Sequence, residues 1–160
     1  RRALDGGGLH LQLRPGTDAA LMMGLLHLVV VTGALDTDYI TARTSGFEEA
    51  WGHAAAWLPE RTERVTGVSV AHLERAVELL AGARDASGAG AGRGEVHAES
   101  ADPGTGSAPT GSASTGRAPT GASRGGAYVL TARGAEQHAD GTSVVGGAIA
   151  VALALGLPTR

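Results

Sequence analysis

The sequence predicts an α/β protein in which short parallel strands are layered with buried helices. Three observations predict it. Residues 9–13 and 127–131 read as short strands, each is followed by a polar loop containing Gly, and each loop feeds a strongly apolar helix. Strand, loop and helix at both ends of a helical middle is an α/β pattern.

Residues 9–13, Leu-His-Leu-Gln-Leu, alternate apolar and polar with period two, the mark of a half-buried strand. Arg14-Pro15-Gly16-Thr17-Asp18 breaks the run, and Thr17 or Asp18 can cap the next helix. From residue 19 to 35 almost every side chain is apolar, which predicts a helix buried on all sides, at its most regular over 18–33. That run falls short of the ~20 residues a membrane span needs, and it is bracketed by Asp18 and Asp36.

Three smaller helices are expected next. Residues 36–43 open on acids that suit a helix N-terminus, and residues 47–57 place Phe47, Trp51 and Ala54 or Ala55 on one face. Residues 59–65 begin with Pro at a first-turn position. Ser69 then caps a helix over 70–83, in which Val70, Leu73, Val77 and Leu80 recur at helical spacing and Gly82 stands near the end. The first part of the α/β region thus spans 1–84.

Residues 85–126 differ in kind. Val96 is their one sizeable aliphatic side chain, and a near-repeat runs through them: Ala108-Pro-Thr-Gly-Ser, Ala113-Ser-Thr-Gly-Arg, Ala118-Pro-Thr-Gly-Ala. Such a stretch cannot bury enough apolar surface to offset ~1–2 kcal/mol of backbone entropy per residue, so a disordered insertion is expected. The second part, 127–160, holds the strand 127–131, a polar loop and a helix over 142–157 capped by Thr142 or Ser143.

Composition narrows the function classes. The 160 residues carry a net charge of −3, and all 13 basic residues are Arg, a usage that reads as coding bias. No basic footprint for nucleic acid is present. Cysteine is absent, which excludes disulfides, thiolate metal sites, iron–sulfur ligation and a thiol nucleophile within these residues. No apolar secretory run opens the chain. With no initiator Met, and a last residue just past an apolar helix, it reads as the middle of a longer protein.

Chemistry concentrates in the two strand-to-helix loops, where open α/β sheets bind ligands and helix N-termini favour anions. In the first, Gly16 admits close backbone approach and the Asp18 carboxylate can accept paired N–H groups from the edge of a guanine. Thr17 and Asp18 could equally be mere caps. In the second, Arg133-Gly134-Ala135-Glu136-Gln137-His138-Ala139-Asp140, Arg133 can pair with phosphate and Gln137 can donate and accept at once. Glu136, His138 and Asp140 are too close in sequence to converge on a metal without a third element.

The remaining histidines read more plainly. His27 lies on an apolar helix, where a hydrogen-bonded core role is the norm. His53 and His72 fall on amphipathic helices, and His97 falls in the insertion. No Rossmann or Walker phosphate fingerprint, GxSxG turn or triad spacing occurs.

Read together, these loops resemble the central cofactor-binding region of the molybdopterin oxidoreductases. The resemblance runs from His10-Leu-Gln-Leu-Arg-Pro-Gly-Thr-Asp-Ala-Ala-Leu through Gly24-Leu-Leu-His27, Gly33-Ala-Leu-Asp36, Tyr39-Ile-Thr-Ala-Arg-Thr-Ser-Gly-Phe47 and Val65-Thr-Gly-Val68. It resumes at Leu130-Thr-Ala-Arg-Gly-Ala-Glu-Gln-His138 and Gly141-Thr142, where the wording is most similar to assimilatory nitrate reductases. It implies partial Rossmann-like layers and a bis-molybdopterin guanine dinucleotide cofactor with molybdenum, of which this segment holds part of the site. It also implies cofactor contacts at Gly16, Thr17, Asp18, Arg133, Gly134 and Gln137.

The resemblance further implies a [4Fe–4S] cluster elsewhere in the intact parent, the parent's remaining domains and an electron-donor protein as partners, and a cytoplasmic place without membrane or nucleic acid. The expected reaction of the intact enzyme is nitrate reduction to nitrite. A formate dehydrogenase-like member, a non-catalytic remnant or interaction module, and a membrane hairpin of the two apolar helices are the alternatives. The family's Cys cluster, its molybdenum-ligating segment and its C-terminal cofactor barrel have no counterpart here, so the chain alone is not expected to be active.

Overall fold

A computed structural model describes residues 8–88, 129–137 and 139–158. Among these, seven helices succeed one another: α1 Asp18–Val31, α2 Thr37–Arg43, α3 Phe47–Ala54, α4 Pro59–Thr66, α5 Val70–Gly88, α6 Arg133–Glu136 and α7 Gly141–Ala154.

Helix α1 is the hub. Residues 24–29 are buried without interruption, because α7, α4, α5 and α3 all pack on it from different sides. A helix covered all round needs apolar side chains all round, and residues 19–35 supply them. Leu26 and Val29 of α1, Leu73 of α5 and Leu155 just past α7 are almost wholly shielded from solvent.

Small residues set the helix spacings. A Cβ on Gly24 would fall inside the Thr62 side chain, so α4 sits directly on the α1 backbone there. Thr62 and Thr66 are fully buried and spend their hydroxyls locally: Thr66 Oγ1 donates to the Thr62 carbonyl at 2.7 Å and Thr62 Oγ1 to Leu58 at 3.1 Å. A polar side chain satisfied within its own helix can face another helix without a desolvation cost.

Two contacts show how α1 and α7 run. A Cβ on Gly147, midway along α7, would lie 2.6 Å from Met22 Cβ in the second turn of α1. Past both helices, the Asp36 amide donates to the Ala154 carbonyl at 2.8 Å, and the Asp36 carboxylate lies against Gly156. The two helices are therefore parallel, with both N-termini at one end of the molecule. Helix α7 ends in a Schellman turn: Leu157 N–H donates to Ala152 at 3.0 Å and Gly156 N–H to Leu153 at 2.9 Å, with Gly156 at φ 63°.

The expected α/β class, with Rossmann-like parallel strands, is overturned: among the described residues there is no strand. Residues 9–13 keep their alternation only as burial. Leu9, Leu11 and Leu13 are half-buried against the core while His10 and Gln12 are exposed. A strand exists only by ladder pairing, and here the apolar side is satisfied by helices while the Arg14 amide donates to Thr66 at 2.9 Å. Of the second expected strand, residues 127 and 128 lie outside the described residues, and 129–131 form none.

Boundaries differ too. Helix α5 continues through 85–88, the first residues of the expected insertion, whose remainder 89–126 lies outside the described residues, His97 included. The polar loop before α7 contains the short α6, and α7 stops at Ala154. No helix among the described residues is long and apolar enough to cross a membrane.

Glycine substitutions separate packing from propensity. Gly24→Ala drives a methyl into Thr62 and is expected to cost about 1–3 kcal/mol in urea unfolding. Gly82→Ala, with open space around it inside α5, is expected to stabilise by about 0.5–1 kcal/mol. Equal effects at the two positions would contradict the packing described.

Candidate functional site

The first loop is a type II turn. Pro15 occupies its second position, Gly16 its third at φ 80°, and the Thr17 amide closes it on the Arg14 carbonyl at 3.3 Å. Only Gly adopts that φ without strain, so the Gly16 backbone stands exposed at the tip. Thr17 is the N-cap residue of α1 by position but makes no side-chain cap. Its Oγ1 donates backward to the Arg14 carbonyl at 2.7 Å, leaving the first amides of α1 without a side-chain acceptor. Asp18 is half-buried in the first turn, and among the described residues nothing donates to its carboxylate.

Arg14 fixes the base of this turn. Its Nη1 donates to the carbonyls of Arg64, at 2.5 Å, and Val65, at 3.3 Å, in the last turn of α4. Those carbonyls have no partner within their own helix, and a cation there also meets the negative end of the helix dipole. Gly67, at φ 80°, ends α4 and lets the Arg14 side chain cross over its backbone.

The second loop lies before α7. Arg133 and Gly134 begin α6, Gln137 ends it, and all three are exposed. The Asp140 N-cap position of α7 likewise makes no side-chain cap. Because α1 and α7 are parallel, both loops and both uncapped N-termini open at the same end of the helix pair. That juxtaposition is invisible in the sequence, where the loops are more than a hundred residues apart. The arrangement offers unpaired amides and an Arg to an anion, and a free carboxylate to paired N–H donors.

Beside the turn, an open cleft of about 640 Å³ is lined by His10, Gln12, Arg14, Thr66, Gly67 and His72, among others. Among the described residues no acidic side chain lines it. In the sequence His10 and Gln12 read as strand residues, and nothing in their spacing reveals the cleft.

Other candidates fall away. His27 is buried, donates from Nδ1 to the Ala54 carbonyl at 3.3 Å and stacks on Trp51 with ring centroids 5.5 Å apart, a core role. His72 is engaged with Ser69, its Nδ1 3.1 Å from Oγ. Among the described residues no group of three or more His, Cys, Asp or Glu could hold a metal ion. His138 lies outside them.

No family model matches the chain. Individual curated relatives do. The chain is 36% identical over 73 residues to the assimilatory nitrate reductase catalytic subunit of Bacillus subtilis (strain 168), covering 46% of this chain and 10% of the relative. It is 30% identical over 79 residues to formate dehydrogenase H of Escherichia coli (strain K12), covering 49% and 11%. It is 43% identical over 70 residues to arsenite oxidase subunit AioA of Herminiimonas arsenicoxydans, covering 44% and 8%. The matches span about a tenth of these relatives' own length. Over about half its length, then, this chain is similar at low identity to the molybdopterin oxidoreductases, nitrate reductase among them.

Proposed function

We propose that this chain is a segment of a molybdenum-cofactor-dependent oxidoreductase and contributes guanine-dinucleotide-binding loops to it. The observation that carries this reading is that the two loops precede the parallel helices α1 and α7 at the same end, where neither N-cap residue makes a side-chain cap. In it, Asp18 accepts the paired N–H groups of the guanine edge, and Gly16 and Thr17 bring backbone up to the ligand. Arg133 and Gln137 contact the dinucleotide from the second loop, with Gly134 allowing close approach. The fit is chemical: a carboxylate without a donor, an exposed Gly backbone and free helix amides are what a phosphate-bearing purine requires.

When bound, the cofactor supplies the redox chemistry, which in the intact enzyme we assign as nitrate reduction: nitrate takes two electrons and two protons, giving nitrite and water. The electrons come from a donor protein through a [4Fe–4S] cluster held elsewhere in the parent, in a cytoplasmic enzyme. The parent's other domains cover apolar side chains such as Ile149 of α7, 54% exposed, and Leu130, 89% exposed. A second reading, formate oxidation, is favoured by similarity to formate dehydrogenase H over 79 residues.

Asp18→Ala separates a ligand from a cap. With no donor to its carboxylate among the described residues, Asp18 should contribute less than about 1 kcal/mol to the stability of the chain, through the helix dipole alone. In the intact enzyme the same change should lower molybdenum and guanine nucleotide content by about 10- to 100-fold, the loss of a charge-assisted pair worth ~1.5–3 kcal/mol. Unchanged cofactor content would refute the assignment. Nitrate and formate assays of that enzyme decide between the two reactions.

A further inference from the structure

We infer that Arg14 is the positioning residue of the 15–18 loop, setting where Gly16, Thr17 and Asp18 stand relative to the body of the molecule. The inference deepens the cofactor-loop reading and rests on it. Arg14 is tied in three ways. Its amide donates to Thr66 at 2.9 Å, its guanidinium donates to the Arg64 and Val65 carbonyls, and its own carbonyl accepts from both the amide and the hydroxyl of Thr17.

Each tie works on a different element. The guanidinium and amide fasten the entry of the turn to the C-terminal end of α4. The carbonyl fastens its exit to the start of α1. Between them Pro15 has a fixed φ and Gly16 alone is free to move. A turn of two residues held at both ends has one shape, whereas one released at its entry swings about Gly16. The α4 end is itself anchored in the core, since Thr62 and Thr66 are fully buried and Thr62 lies against Gly24 of α1. The alignment of Asp18 is thus referred to the core through Arg14.

Arg and Lys differ at this place in one respect. A Lys ammonium could also donate to two carbonyls from one nitrogen, but it has no planar group to lie over Gly67 as the guanidinium does.

The test uses the 160-residue chain and its Arg14→Ala, Arg14→Lys and Arg64→Ala variants, with backbone ¹⁵N relaxation, thermal unfolding and titration with GDP. In the unaltered chain the Gly16 and Thr17 amides should have order parameters near ~0.85, falling below ~0.6 in Arg14→Ala with α1 beyond Leu21 unaffected. The GDP dissociation constant should rise about tenfold in Arg14→Ala, the equivalent of ~1.4 kcal/mol, and by less in Arg14→Lys. Arg64→Ala, which keeps the backbone carbonyl, should match the parent in both readings.

A lower melting temperature with unchanged order parameters at Gly16 and Thr17 would make Arg14 a brace for α4 and overturn the inference. If Arg14→Ala does not fold, the same comparison on Arg14→Lys decides. If the unaltered chain binds no GDP, the order parameters alone decide the role of Arg14, and the guanine reading is decided by the cofactor content of the intact enzyme.

Discussion

The parallel contact of α1 with α7 is the constraint on which the rest of this structure depends. It brings two segments distant in sequence into one core and orients both buried helices the same way. Gly147 permits it, since any side chain there would meet Met22 Cβ within 2.6 Å. Asp36 finishes it beyond the helix ends, bonding Ala154 through its amide while its Oδ1 accepts the Tyr39 amide at 2.9 Å and so starts α2. One residue thus joins the termination of α7 to the initiation of α2.

The consequence for function is geometric. Parallel helices put like ends together, so two sets of unpaired amides and two positive dipole ends face the same region. Antiparallel packing would have sent the 15–18 and 133–140 loops to opposite poles. The neighbouring α4 contributes through its far end, where Arg14 and Gly67 bind the first loop to the bundle. Site and core are therefore not separable: the residues that lock α4 onto α1, Gly24 and Thr62, also hold the platform on which the Pro15-Gly16 turn is built.

Much of this was legible in the residues, and the failures have physical causes. Continuous apolar composition identified the two central helices, and of the periodic set over 70–80 Leu73 and Val77 are buried and Val70 and Leu80 half-buried. The reading of 9–13 as a strand failed because period-two alternation reports which side chains are buried, not whether a partner strand exists. Leu11 and Leu13 satisfy the pattern against helices. The capping interpretation of Thr17 failed for a similar reason: a hydroxyl before a helix can bond forward or backward, and here the turn carbonyl of Arg14 competes successfully. The placing of the two loops at one end had no local signal at all, since it is a product of tertiary packing at Gly147.

That placing is tested most directly by titrating the isotopically labelled chain with GDP and following amide resonances. Signals of Gly16, Thr17 and Asp18 and those of Arg133, Gly134 and Gln137 should move together, along one saturation curve. Movement confined to one loop, or two curves with different midpoints, would contradict a single site at the shared end of α1 and α7.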